Sequence, residues 1–245
     1  MATEALDPLR LDLASSRRTL ILVWQNPVSR RFVKVGQLDA LSEGRFSFQY
    51  LGSAWDDAEF TTLLEYPDRN AAYVSDEVPA FFANRILSAD RPNYERYLGW
   101  LGIEGIVPDD IPFEVLARTG GGRETDTFHV VDIPLDLGHS FSSRFFVSGV
   151  RHFPEAEEII SALGNGAALA LKLEEENEVN PKAVLIDTAD GRTIGYVPDW
   201  LCTDVHQRIK DGWLISVVAE RVNPEAPSHV RVLCRIEAQR HLRLR

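Results

Sequence analysis

At 245 residues, with 44% hydrophobic and 26% charged side chains, the chain has the make-up of one large globular domain or two small ones. That composition excludes collagen-like, mucin-like and disordered-tail readings. The net charge of −11 excludes nucleic-acid binding through bulk electrostatics, because counterion release needs Lys and Arg facing phosphates, so any such site must be local and shaped.

The charge is uneven. Residues 1–140 carry 13 Lys/Arg against 22 Asp/Glu, and residues 141–245 carry 13 against 15. The C-terminal half is therefore the better candidate for an anionic ligand. No apolar run approaches the ~20 residues of a membrane span. The first 18 residues read as a tail: they hold Glu4, Asp7 and Asp12 and no apolar h-region, so they are not a secretory signal. Two cysteines, Cys202 and Cys234, form neither a CxxC site nor a disulfide framework, and a reducing cytoplasm is the expected compartment.

In chain order, residues 19–24 are an apolar run rich in β-formers, and residues 31–36 alternate with period two, with a turn at Asn26-Pro27 between them. Phe46, Phe48 and Tyr50 share one face of a half-buried strand over 45–50. A helix is expected from Pro79 through Phe81, Phe82, Ile86 and Leu87. A second is expected with Asp90 as cap and Tyr94, Leu98 and Leu101 on one stripe. Residues 105–140 read as an ordered connector with short strands at 113–118 and 127–132, since Phe113, Val115, Leu116, Phe128 and Val130 are too apolar for a free linker.

From residue 141 the chain reads as strands at 145–150, 167–173, 183–187, 193–197, 213–222 and 229–236. Helices are expected from Pro154 to Gly164, and from a cap at Asp199 to Gly212 with Leu201, Val205 and Ile209 on one stripe. Many short strands with turns between them favour a small closed or nearly closed β-barrel. The fold class is thus α+β: a small sheet-plus-helices unit followed by a barrel with short helices.

Catalytic signatures are missing. The six histidines are scattered without ligand spacing, and there is no GxSxG, GxxxxGK[ST] or HExxH. Gly120-Gly121-Gly122-Arg123 is followed by a turn into a strand rather than by a helix, so it reads as a loop and not a phosphate cradle. The triplet Glu174-Glu175-Glu176 reads as a solvated strand edge. No enzyme activity, catalytic residue, metal or cofactor is expected.

Two resemblances follow. Residues 19–104 resemble the N-terminal subdomain of HipA-type kinase toxins, carried by Val35-Gly36-Gln37-Leu38, by Gly44-Arg45-Phe46-Ser47-Phe48-Gln49-Tyr50 and by Phe81-Phe82-Ala83-Asn84-Arg85-Ile86-Leu87. The kinase core of that family is missing, so the resemblance implies a docking or regulatory unit, an accessory to a HipA-type toxin system or its antitoxin part. Residues 141–245 resemble a HIRAN domain, carried by Gly149-Val150-Arg151-His152-Phe153, by Asn177-Glu178-Val179-Asn180-Pro181-Lys182-Ala183-Val184 and by Ile194-Gly195-Tyr196-Val197-Pro198.

The second resemblance implies a pocket for single-stranded DNA ends. Arg151 would meet phosphate, His152 and Phe153 would stack on bases, and Asn177 and Asn180 would bond sugar and base. Tyr196 would close a wall, and Lys182 joins the set. The chain departs from the family pattern at Glu178 (Pro), Val179 (aromatic), Asn180 (Asp) and Asp199 (a basic residue), which implies a weaker or altered ligand preference. The plain alternatives are that Arg151 pairs with Glu174 or Glu176, and that Phe153 and Tyr196 are core aromatics. At the level of function, the alternative is a protein-interaction module that binds no DNA.

Overall fold

The computed structural model describes residues 4–6, 18–122 and 126–240. The chain divides into two compact units, one of residues 1–98 and 103–133, the other of residues 99–102 and 134–245. Among the described residues the strands form two sheets, one of six strands and one of seven. No helix among them is long and apolar enough to cross a membrane.

In the first unit, β1 (Glu4–Leu6), β2 (Arg18–Gln25), β3 (Phe32–Ala40), β4 (Phe46–Tyr50), β5 (Ala72–Ser75) and β6 (Phe128–Asp132) lie in the order β1-β5-β4-β3-β2-β6. Alternation sends Leu20, Leu22, Leu38, Phe48, Tyr50, Tyr73 and Val130 into one core, where they meet Phe82, Phe113 and Leu116. The helices here are α1 (Ala80–Ala83), α2 (Tyr94–Leu101), whose last three residues are grouped with the second unit, and α3 (Ile111–Thr119).

Several expectations for this unit are corrected. Residues 113–118 form not a strand but the middle of α3, with Pro112 in its first turn and Phe113, Val115, Leu116 and Ala117 buried. A 3.6-residue period buries 113, 116 and 117 on one side, and a short apolar run hides that period from inspection. Residues 105–133 therefore belong to the first unit rather than to a connector, and β6 closes its sheet beside β2. The helix expected through Leu87 stops at Ala83, and α2 starts at Tyr94 instead of next to Asp90. In the 1–18 tail, Glu4–Leu6 pairs with β5 and Arg18 opens β2; residues 1–3 and 7–17 lie outside the described residues, as do 123–125 and 241–245.

The second unit holds β7 (Leu135–Asp136), β8 (Ser140–Phe146), α4 (Ala156–Ala162), β9 (Ala167–Leu173), β10 (Val184–Thr188), β11 (Thr193–Tyr196), α5 (Asp199–Lys210), β12 (Leu214–Val222) and β13 (Val232–Gln239). The sheet order is β11-β10-β9-β12-β13-β8-β7. Phe145, Val184, Ile186, Val217, Cys234 and Ile236 share a core with Ile159 and Ile160 of α4 and Leu201 and Val205 of α5. The pairing is that of an open sheet, with one isolated bridge, Ser148 to Tyr196, linking the chain just after β8 to β11.

Three boundaries are corrected here. The strand expected at 145–150 runs instead over Ser140–Phe146, and Val150–His152 is a 3-10 turn. The strand expected from His229 starts at Val232, after a 3-10 turn at Ser228–Val230. Asp199 is not the cap of α5: Pro198 takes that position and Asp199 stands in the first turn.

Candidate nucleic-acid interface

The interface is assembled where the chain leaves β8. The Val147 amide donates to the Val232 carbonyl (3.0 Å), and Ser148 exchanges two backbone bonds with Tyr196, of 2.9 and 2.8 Å. Gly149 then turns the chain at φ +67°, and a Cβ there would lie 3.0 Å from Cδ2 of the Tyr196 ring. Only glycine combines that backbone with so close a ring. The turn through Val150, Arg151 and His152 delivers Phe153, half-buried, to the same ring: the Phe153 and Tyr196 centroids are 5.3 Å apart with planes at 51°. Phe153 also packs against the core of the unit, so it is neither free nor wholly interior.

Beyond the ring pair lies a polar wall. The Tyr196 hydroxyl donates to Oε2 of Glu174 (3.0 Å), and the Asn177 amide donates to the same oxygen (2.6 Å). Burial first, and the Glu174 carboxylate second, raise the Tyr196 pKa, so the hydroxyl keeps its proton. Oδ1 of Asn177 accepts the backbone N–H groups of Val179 (3.0 Å) and Asn180 (2.8 Å), an Asx turn that shapes the loop between β9 and β10. Asn180 donates from Nδ2 to Oδ1 of Asp199 (3.0 Å) and to Sγ of Cys202 (3.1 Å), and accepts the Lys182 amide (2.9 Å). Burial, ahead of the other causes, pushes the Cys202 thiol up.

The three sequence blocks thus meet. Phe153 and Tyr196 touch, Asn177 joins them through Glu174, and Asn180 and Lys182 continue the same loop. The two asparagine side chains spend their donors on the protein itself. Arg151 and His152 are exposed on the turn before Phe153, and Lys182 is exposed on the loop. Neither Arg151 nor Lys182 has a side-chain hydrogen bond or ion pair among the described residues, so Arg151 does not pair with Glu174 or Glu176.

Sequence reasoning missed Glu174. It is not a solvated edge but a half-buried acceptor for two donors, while Glu175 pairs with Lys210. Nothing in its local spacing signals this, because Tyr196 approaches from a strand 22 residues away in sequence. No group of three or more His, Cys, Asp and Glu among the described residues is placed to hold a metal ion.

Comparison with known proteins bears on this unit. Residues 140–241 match the family model of the HIRAN domain. A crystal structure of a protein from Lactobacillus plantarum superposes with a TM-score of 0.35 at 15% identity, covering 44% of this chain and 96% of that one. The crystal structure of the HIRAN domain of human HLTF superposes with a TM-score of 0.34 at 16% identity, covering 42% and 81%. The family match, and not these low-scoring superpositions, assigns the C-terminal unit. No curated protein matches the chain.

Proposed function

We propose that the HIRAN domain at residues 140–241 binds single-stranded DNA at its ends, with Phe153 and Tyr196 as the stacking surface. The observation that carries this reading is the ring pair at 5.3 Å, partly exposed and preceded by an arginine that no described residue engages. An exposed aromatic face accepts any base, at ~1–3 kcal/mol per base stacked. Arg151 supplies the phosphate contact, with His152 stacking beside it and Lys182 as a second cation. Asn177 and Asn180 act mainly by holding the loop in shape.

The acidic chain adds no long-range attraction, so affinity comes from a few contacts and falls nearer the micromolar than the nanomolar range, ~−8 rather than ~−12 kcal/mol. We read the Ser148–Tyr196 bridge as the seam that curls the sheet into a barrel. The chain is assigned binding and no catalysis, so purified protein should turn over no ATP, and the cytoplasm is its proposed compartment. For the N-terminal unit we keep the docking role, towards a HipA-type toxin partner. The feature that favours docking is Leu64, 97% exposed in a loop whose neighbours Leu63 and Tyr66 are bonded to the Tyr50 hydroxyl.

Fluorescence anisotropy with labelled single-stranded DNA carrying a free or a phosphate-blocked 3′ end tests the reading. Phe153→Ala should weaken binding by roughly 5- to 150-fold at fixed salt, matching the loss of one stacked base. Arg151→Gln should lower affinity and reduce the salt slope by about one phosphate contact. If the wild-type chain binds no oligonucleotide, the protein-interaction reading replaces this one.

A further inference from the structure

The strand register places one more cation on the face that carries Tyr196. Tyr196 of β11 stands directly opposite Leu185 of β10, and Leu185 stands directly opposite Lys172 of β9. Directly opposed residues of antiparallel neighbours project to the same side of a sheet. The flanking residues identify that side: Leu171, Leu173 and Ile186 pack with the core, so Lys172, Leu185 and Tyr196 face outward. Leu185, at 8% exposure, is an apolar floor between an aromatic ring on one flank and an exposed lysine on the other.

Two carboxylates that the register places on the same face do not occupy that lysine. Glu174, two residues further along the same strand line, is engaged through Oε2 by the Tyr196 hydroxyl and the Asn177 amide. Asp187, next on β10 and 9% exposed, accepts the Thr193 hydroxyl at 2.6 Å. Lys172 has no ion pair among the described residues.

We infer that Lys172 is a phosphate contact of the nucleic-acid interface, and that the bound single strand runs from the Phe153–Tyr196 pair across β10 onto β9. The inference rests on the nucleic-acid reading and extends it: it names a path and a direction. Two strand spacings separate β11 from β9, about 10 Å of backbone. Lys172 therefore serves not the nucleotide stacked on the rings but one further from the end, while Arg151 stands on the turn that leads to the rings. The ligand is then a short single-stranded segment, and a lone terminal nucleotide leaves Lys172 unused.

The full chain, its K172Q and K172R variants and F153A are titrated with a labelled dinucleotide and a labelled octanucleotide over a range of salt. Lys172 is exposed, and thermal melts of the variants should match wild type. K172Q should bind the octanucleotide several-fold more weakly and reduce the slope of log affinity against log salt by about 0.7, the value of one phosphate on a single strand. Its affinity for the dinucleotide should be unchanged, and K172R should restore the octanucleotide slope. If F153A weakens the octanucleotide while K172Q leaves its slope intact, the path across β9 is wrong and the ring site stands. An equal loss for both lengths also overturns the path, because Lys172 would then serve the end itself. If wild type binds neither probe, the nucleic-acid reading and this inference fall together.

Discussion

At the residue scale, Gly149 and Gly195 flank the contact between the Ser148 segment and Tyr196, and they fail differently when substituted. A Cβ on Gly195, at φ +153°, would fall against the Val147 side chain and the Ser148 carbonyl, inside the backbone bridge. Gly195→Ala should therefore break the bridge and cost ~3 kcal/mol or more, read from urea unfolding. Gly149→Ala meets the edge of a ring that can shift, so it should cost ~1–3 kcal/mol and lose DNA affinity beyond its loss of stability. Asn180 makes a related point. Its amide donates to Asp199, so an aspartate at 180 would set one carboxylate against another. Like charge raises a carboxyl pKa, and a raised folded-state pKa gives stability that is present at low pH and lost as pH rises through it. Asn180→Asp should thus be about 1 kcal/mol less stable at pH 7, with the deficit closing as pH approaches 4. A variant as stable as wild type at pH 7 would show that the Asn180–Asp199 contact is dispensable.

At the scale of elements, two tyrosines tie the long loop between β4 and β5 to the sheet. The Tyr50 hydroxyl donates to the Tyr66 carbonyl (3.0 Å) and accepts the Leu63 amide (2.7 Å); the Tyr73 hydroxyl does the same for the carbonyl (3.0 Å) and amide (2.6 Å) of Asp68. Burial pushes the Tyr50 pKa up to about 12 and drives that of Tyr66 higher still. Unfolded tyrosines deprotonate near pH 10 while these keep their protons, so the folded state binds more protons above pH 10. Stability is then level below pH 10 and falls by about 1.4 kcal/mol per pH unit for each such group between 10 and 12. Tyr50→Phe should cost ~1–3 kcal/mol at pH 7, because the Leu63 amide loses its acceptor, and should flatten the alkaline slope by one group.

At the scale of the whole molecule, residues 134–245, the second unit without its short segment 99–102, are testable alone. A fragment cut at 141 omits Asp136, which pairs with Arg208, a guanidinium with an 11% exposed side chain lying 3.9 Å over the Phe141 ring. It also omits β7, which pairs with β8 through Leu135 and Asp136. The fragment starting at 134 should unfold cooperatively, and the fragment starting at 141 should be ~1–3 kcal/mol less stable, as expected for a largely covered cation that loses one of its two acidic partners and keeps Asp204. Equal urea midpoints would mean that β7 is an ornament of the sheet and not a part of it.

Much of the fold was legible locally. Residues 167–173 alternate half-buried with exposed side chains in β9 as their sequence alternates, and β4 buries the aromatic face that its spacing announces. Three ordered blocks pointed to the HIRAN domain, and the family match at 140–241 agrees with them. Period, turn residues and block order are properties of neighbours in sequence, so the sequence alone determined the α+β class, most strands of both sheets and the position of the ring pair's two members. It could not separate helix from strand over the mostly apolar stretch Phe113 to Ala117, where five residues fit either period and only packing into the core of the first unit chose. Nor could it find Glu174, the Asn180–Asp199 bond or the alignment of Lys172 with Tyr196. Each joins residues from different strands, loops or helices, and hydrogen bonding and strand register act across space. Those contacts were decided by tertiary structure alone.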